Sequence, residues 1–127
     1  MFSHVMLGAN DVEKSKTFYD AVLGALGSKP GRIDDKGRVF YMHNGGLFML
    51  SKPLNGEAAC HANGGTVGFA GASPEEVDAW HAAGLAHGGT TCEDPPGYRE
   101  GGFGKLYLAY LRDPAGNKLC GLYRPAQ

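Results

Sequence analysis

HVMLGANDVEKSKTFYDAVL (residues 4–23) and TVGFAGASPEEVDAWHAAGL (residues 66–85) share few identities, yet both follow one plan. In each, a short apolar run reads as a strand, a capping residue follows, and large apolar side chains then recur at helical spacing. Asp11 caps the first helix, whose apolar positions include Phe18, Val22, Leu23 and Leu26. Ser73-Pro74-Glu75-Glu76 opens the second with an N-cap, Pro at the first helical position and Glu at the third, a capping box. An offset of 62 positions sets His4 on Thr66, Val5 on Val67, Leu7 on Phe69, Asp11 on Ser73, Phe18 on Trp80 and Leu23 on Leu85. Caps and large anchors coincide, as an internal duplication requires.

The plan extends outward from these stretches. After the first helix, strands are expected around 28–33, 38–43 and 46–51, the last two joined by Asn44-Gly45, a two-residue hairpin signal. A polar loop over 52–64 leads to the second half. There the helix ends near Gly88-Gly89, and strands are expected near 90–93, 104–112 and 117–123. Asp113-Pro114-Ala115-Gly116-Asn117 reads as a tight hairpin turn: Asp and Asn bond locally, Pro presets φ and Gly allows positive φ. Because this turn is longer than its counterpart, the register shifts, and matching LFML to KLCG places Met49 opposite Cys120. The fold class is therefore α+β, one domain over 1–127 made of two βαβββ modules in tandem, about 1–55 and 63–124. A sheet covered by one helix keeps an open second face, and pairing two such mixed sheets curls them around a cleft.

Composition narrows the function classes. The 127 residues are enough to bury a core without disulfides. With a net charge of −1 and no basic run, neither nucleic acid nor an anionic membrane is an expected partner. No apolar stretch approaches the ~20 residues that span a bilayer. The beginning, MFSHVMLGAN, is too polar for a signal peptide, so a cytoplasmic location is expected. Cys60, Cys92 and Cys120 form neither a CxxC pair nor a disulfide framework, and reduced thiols are expected.

His4-Val5-Met6-Leu7, then Asp11 to Ser15, Phe18-Tyr19 and Leu23-Gly24, and finally Leu111-Arg112-Asp113-Pro114-Ala115-Gly116-Asn117, resemble the vicinal oxygen chelate superfamily. That superfamily includes glyoxalase I, extradiol dioxygenases and the fosfomycin- and bleomycin-resistance proteins. The resemblance implies a homodimer and a small-molecule ligand. It also implies one metal ligand from the first and last strand of each half, positions held here by His4, Met49, Thr66 and Cys120. A glyoxalase-like pattern has His or Gln on the first strands and Glu on the last, so only His4 is kept. A divalent ion with open positions for substrate oxygens wants imidazole and carboxylate donors, and losing both carboxylates also removes the usual general base. Two cofactor states follow: one divalent metal (Zn, Ni or Fe) held through His4 and Cys120, or none.

The same scaffold serves several chemistries, so function is read from the site. One reading is a glyoxalase-like lyase or isomerase with an altered metal site, His4 and Cys120 being its catalytic residues. The other is a non-catalytic binding protein of the bleomycin-resistance type, without metal. Met49, Thr66, Phe48, Tyr107, Tyr110 and Arg99 are the expected cleft residues. Arg99 and Lys105 are cations able to meet an anion, in the segment 93–113, whose Pro-Pro-Gly-Tyr stretch and glycine pair read as a loop over the cleft mouth. Tyr107 and Tyr110 are three apart, so they fall on opposite faces of a strand. Cys120 is a nucleophile, a metal ligand or a small core residue. Cys60-His61 reads as an exposed loop pair, Trp80 as a core anchor, and His43, His81 and His87 as surface residues.

Overall fold

A computed structural model of the chain describes residues 1–126. Each half is a strand, a helix and a set of antiparallel strands, running β1 (Val5–Gly8), α1 (Val12–Ala25), β2 (Arg32–Ile33), β3 (Val39–His43) and β4 (Gly46–Ser51). The second half runs β5 (Val67–Ala70), α2 (Pro74–Ala86), β6 (Thr90–Thr91), β7 (Gly97–Gly101), β8 (Gly104–Arg112) and β9 (Lys118–Tyr123). Both helix starts are capped as their sequences require: the Asp11 carboxylate accepts from the Lys14 N–H and the Ser73 hydroxyl from the Glu76 N–H.

The strand orders are β1-β4-β3-β2 and β5-β9-β8-β6, the same topology twice. Register makes the equivalence residue-exact. Met6 pairs with Met49 across parallel β1 and β4, and Gly68 pairs with Cys120 across parallel β5 and β9. Met6 and Gly68 are 62 apart, so Met49 and Cys120 are true counterparts. The second half departs from the plan once. Segment 97–101, expected as loop, is strand β7, hairpinned onto β8 through Gly101 and Gly104.

One core runs through both modules. Phe18, Tyr19 and Val22 of α1 join Val39, Tyr41, Phe48 and Leu50 of the first sheet, while Val77 and Trp80 of α2 join Ala109, Leu111 and Leu119 of the second. The two helices pack on each other, and Phe48 meets Phe69 edge to face at 5.3 Å between centroids. The turn after β8 acts as a bolt between halves. Asp113 and Asn117 are buried there, the Tyr19 hydroxyl donates to Asp113 Oδ2 at 2.6 Å, and Asn117 Nδ2 donates to the Gly8 carbonyl of β1 at 3.0 Å. Burial and the Asp113 carboxylate hold the Tyr19 phenol well above its usual range.

Candidate functional site

Side chains alternate along a strand, so each sheet has a packed face and an open one. In the first sheet Val39, Tyr41, Phe48 and Leu50 face the helix side, and the open face carries the row Met6–Met49–Phe40 and the pair Leu47–Met42. His4 lies two residues before Met6 and is exposed, its Nδ1 paired with the Ser3 hydroxyl at 2.8 Å. In the second sheet Leu119, Gly121, Ala109 and Leu111 are packed inward. The open face carries the row Gly68–Cys120–Tyr110, the pair Lys118–Arg112, and beyond them Leu122 and Leu108. Thr66, two residues before Gly68, is exposed.

Two expected cleft residues point the other way. Phe48 is next to Met49 and therefore on the opposite face, buried against Tyr19, Tyr41 and Phe69. Tyr107 turns toward α2 and donates to Asp78 Oδ1 at 2.6 Å, a bond that, with some desolvation, pushes its phenol up to about 12. Tyr110 is the tyrosine on the open face. Arg99 is there as well, but its guanidinium is spent on the chain itself, donating to the carbonyls of Gly97, Leu108 and Asp94 at 2.9 to 3.0 Å. It clamps the approach to β7.

Cys120 is the only buried cysteine among the described residues, 7% exposed. Burial pushes its thiol up, against the opposing pull of a hydrogen bond from Tyr110 and the cations Arg99 and Lys118. A thiol so placed is a poor nucleophile at neutral pH. Around it stand groups that sequence reasoning passed over. Lys118 Nζ is ion-paired with Glu93 and lies 5.1 Å from the centre of the Tyr110 ring. Glu93 makes that reach from a left-handed backbone conformation (φ 57°), uncommon for a residue with a side chain. The one hint in the sequence was the two-residue spacing of Lys118 and Cys120, which puts them on one face.

The donor set does not fit a glyoxalase-like metal. Imidazole, thioether, hydroxyl and a buried, protonated thiol provide no carboxylate for a hard divalent ion. His4 and Met49 also sit on one sheet and Thr66 and Cys120 on the other. Among the described residues, no three His, Cys, Asp or Glu side chains come together as a metal site needs. Nor do the two grooves along the first sheet and at the seam of the modules unite the four positions. A groove of about 1200 Å³ runs along the first sheet under the loop after β4, lined by Met6, Gly8, Ile33, Ser51 and Leu54, with Lys36 and Lys52 among its polar groups. A second, about 280 Å³, lies at the seam of the modules beside Phe48, Val67 and Phe69. Neither includes His4, Met49, Thr66 or Cys120.

Two histidines expected at the surface differ in fate. His87 is exposed, whereas His81 is buried, 9% exposed, with Nε2 3.2 Å from the Thr91 hydroxyl, and desolvation lowers its pKa. Its partner lies on β6, beyond what helical spacing reveals. Cys60 is exposed, as a loop position should be. No helix among the described residues is long and apolar enough to cross a membrane.

Residues 1–120 match the family model of the glyoxalase/bleomycin resistance protein/dioxygenase superfamily. Among solved structures, the chain is similar to a glyoxalase/bleomycin resistance protein from Albidiferax ferrireducens T118, at 61% identity and a TM-score of 0.94, covering 98% of this chain and 99% of that one. It shares its fold with a lactoylglutathione lyase from Agrobacterium tumefaciens (23% identity, TM-score 0.66, 97% and 92% covered). It also shares it with a glyoxalase-related enzyme from Fulvimarina pelagi (21% identity, TM-score 0.74, 98% and 88% covered). No curated protein matches the sequence.

Proposed function

Because the chain belongs to the glyoxalase/bleomycin resistance protein/dioxygenase superfamily, we propose that it takes up a small organic molecule against its open sheet faces, without a metal, in a cleft completed by a second copy. The observation that carries this reading is the asymmetry of each sheet. One face is packed, and the other presents Met6, Phe40, Met42, Leu47 and Met49 in the first module and Leu108, Tyr110 and Leu122 in the second. Met6 is 42% and Met42 73% exposed. A contiguous apolar face of this kind is a ligand or partner surface, and methionine suits one that adapts to its guest.

A lyase or isomerase reading is favoured by one observation, the Glu93, Lys118, Tyr110 and Cys120 group, whose members are able to hold or pass a proton. His4 then acts from the first module across the completed cleft. Binding is the reading common to both.

Sedimentation velocity together with equilibrium binding of a neutral fluorescent aromatic tests the proposal. The expected result is a dimer that binds the probe, and a Met49→Glu variant that is folded but loses both properties, because a carboxylate buried on an apolar face is costly. A wild-type chain that sediments as a monomer and binds no probe would overturn it.

A further inference from the structure

On the open face of the second sheet, Arg112 and Lys118 stand directly opposite each other, the final pair of β8 and β9. Like charges in that relation repel and weaken a sheet. The fold nevertheless holds each in place. Arg112 donates to the Gly116 carbonyl at 3.0 Å, and Lys118 lies over the Tyr110 ring. Arg99, on the same face, is fixed by its three carbonyls. Three cations thus share a face on which one carboxylate, Glu93, is ion-paired, and with Lys118 alone, in a protein whose net charge is −1. The neighbouring Asp113 gives no relief, since its oxygens accept from Tyr19, Ala115 and Asn117 in the interior.

We infer that Lys118 and Arg112 form an oxyanion-binding site, taking the charged end of a small organic anion whose apolar body lies along Tyr110, Leu108 and Leu122. The inference rests on the reading of the open faces as a ligand surface and names the ligand's chemical class. The cations are held in position before binding, so an incoming oxyanion meets donors that need little reordering, and it relieves their mutual repulsion. Glu93 occupies the position of a counter-ion: it keeps Lys118 aimed at Tyr110 when the site is empty and competes with the ligand for the same ammonium. Its left-handed backbone is the conformational cost of bringing a carboxylate there.

A matched pair of probes isolates the charge. 8-Anilinonaphthalene-1-sulfonate and the neutral N-phenyl-1-naphthylamine share an apolar body and differ by the sulfonate. Fluorescence titration at low salt is expected to show the sulfonate bound about tenfold more tightly, the worth of one or two charge-assisted hydrogen bonds. The preference narrows as salt rises. Lys118→Met and Arg112→Met should each reduce it while leaving affinity for the neutral probe unchanged, which also shows that the face is still folded. Glu93→Gln should enlarge it, an effect that loss of a merely structural ion pair would not produce. Benzoate should displace the sulfonate at concentrations where inorganic phosphate does not; displacement by phosphate alone would overturn the requirement for an apolar body. Equal binding of the two probes, or a preference that survives both Met substitutions, would refute the site while leaving the binding face standing. If neither probe binds, both proposals fail.

Discussion

Replacing Tyr19 with Phe tests the bolt between the modules with almost no change of volume. The lost interaction is a 2.6 Å hydrogen bond to a carboxylate, made by a side chain with no exposure to a partner 4% exposed. Hydrogen bonds to charged groups contribute about 1.5–3 kcal/mol. Asp113 keeps the N–H groups of Ala115 and Asn117 and the Asn117 amide, so its charge is not orphaned and the middle of that range applies, about 2 kcal/mol. For a chain of 127 residues that is a fall in Tm of about 7 °C. Urea unfolding followed by circular dichroism, at one fixed protein concentration, should show a lower midpoint with an unchanged slope. A double-mutant cycle with Asp113→Asn should return most of the 2 kcal/mol as coupling. There is a second signature at high pH. The folded phenol is held above its usual value, near 10, so the unfolded chain releases its proton first and stability falls as pH rises past ~10. Tyr41 and Tyr107, also raised, add to that fall. The Phe variant should lose one proton's share of the slope, about 1.4 kcal/mol per pH unit. A coupling below about 0.5 kcal/mol, with an unchanged alkaline slope, would refute the idea that this contact joins the halves.

Three further outcomes follow from particular contacts. Gly121→Ala would set a methyl 2.8 Å from the Trp80 ring, a rigid neighbour, and should cost about 1–3 kcal/mol in urea unfolding, with a change in the emission of the single tryptophan. His81 has its pKa lowered by burial, so the stability tied to its neutral form is complete above ~6.5 and is lost as pH falls below that value. His81→Gln should flatten the acid limb of the stability curve, and an unaltered limb would count against the assignment. Finally, a thiol-reactive disulfide reagent should modify Cys60 quickly under native conditions and Cys120 only after denaturant is added; rapid labelling of Cys120 would contradict its burial.

Much of this architecture could be read from the residues because local signals and the global fold agree. The caps Asp11 and Ser73, the Asn44-Gly45 hairpin and the shared offset are short-range features, and each is where the sequence puts it. The equivalence of Met49 and Cys120 was also legible, since it depends only on counting through two turns. Strand β7 was not: Gly-Tyr-Arg-Glu-Gly has glycine at both ends and two charges, and its pairing with β8 supplies what its propensity lacks. The choice between Tyr107 and Tyr110 was open because spacing fixes only that they differ. Register settles it, placing Tyr110 against Cys120. Phe48 and Met49 were grouped because both suit an apolar wall, but adjacent strand residues cannot share a face, and Phe48 stands on the packed one, beside the cavity at the seam of the modules. Glu93 and His81 escaped for a common reason. Their partners, Lys118 and Thr91, are brought to them by tertiary pairing, about which spacing along the chain says nothing.

The connector between the modules puts the unity of the core in another light. Its N–H at Ala59 is moored to Asn10, but residues 60–66 are all exposed and turn through left-handed conformations at Ala62 and Gly64. The halves are held by Phe48 against Phe69, Tyr19 on Asp113 and helix on helix, none of which uses this stretch. A protease that cuts it would sever the backbone without separating the pieces. The same seam could bear new termini in a circular permutant, or an inserted peptide, while the two modules go on melting as one.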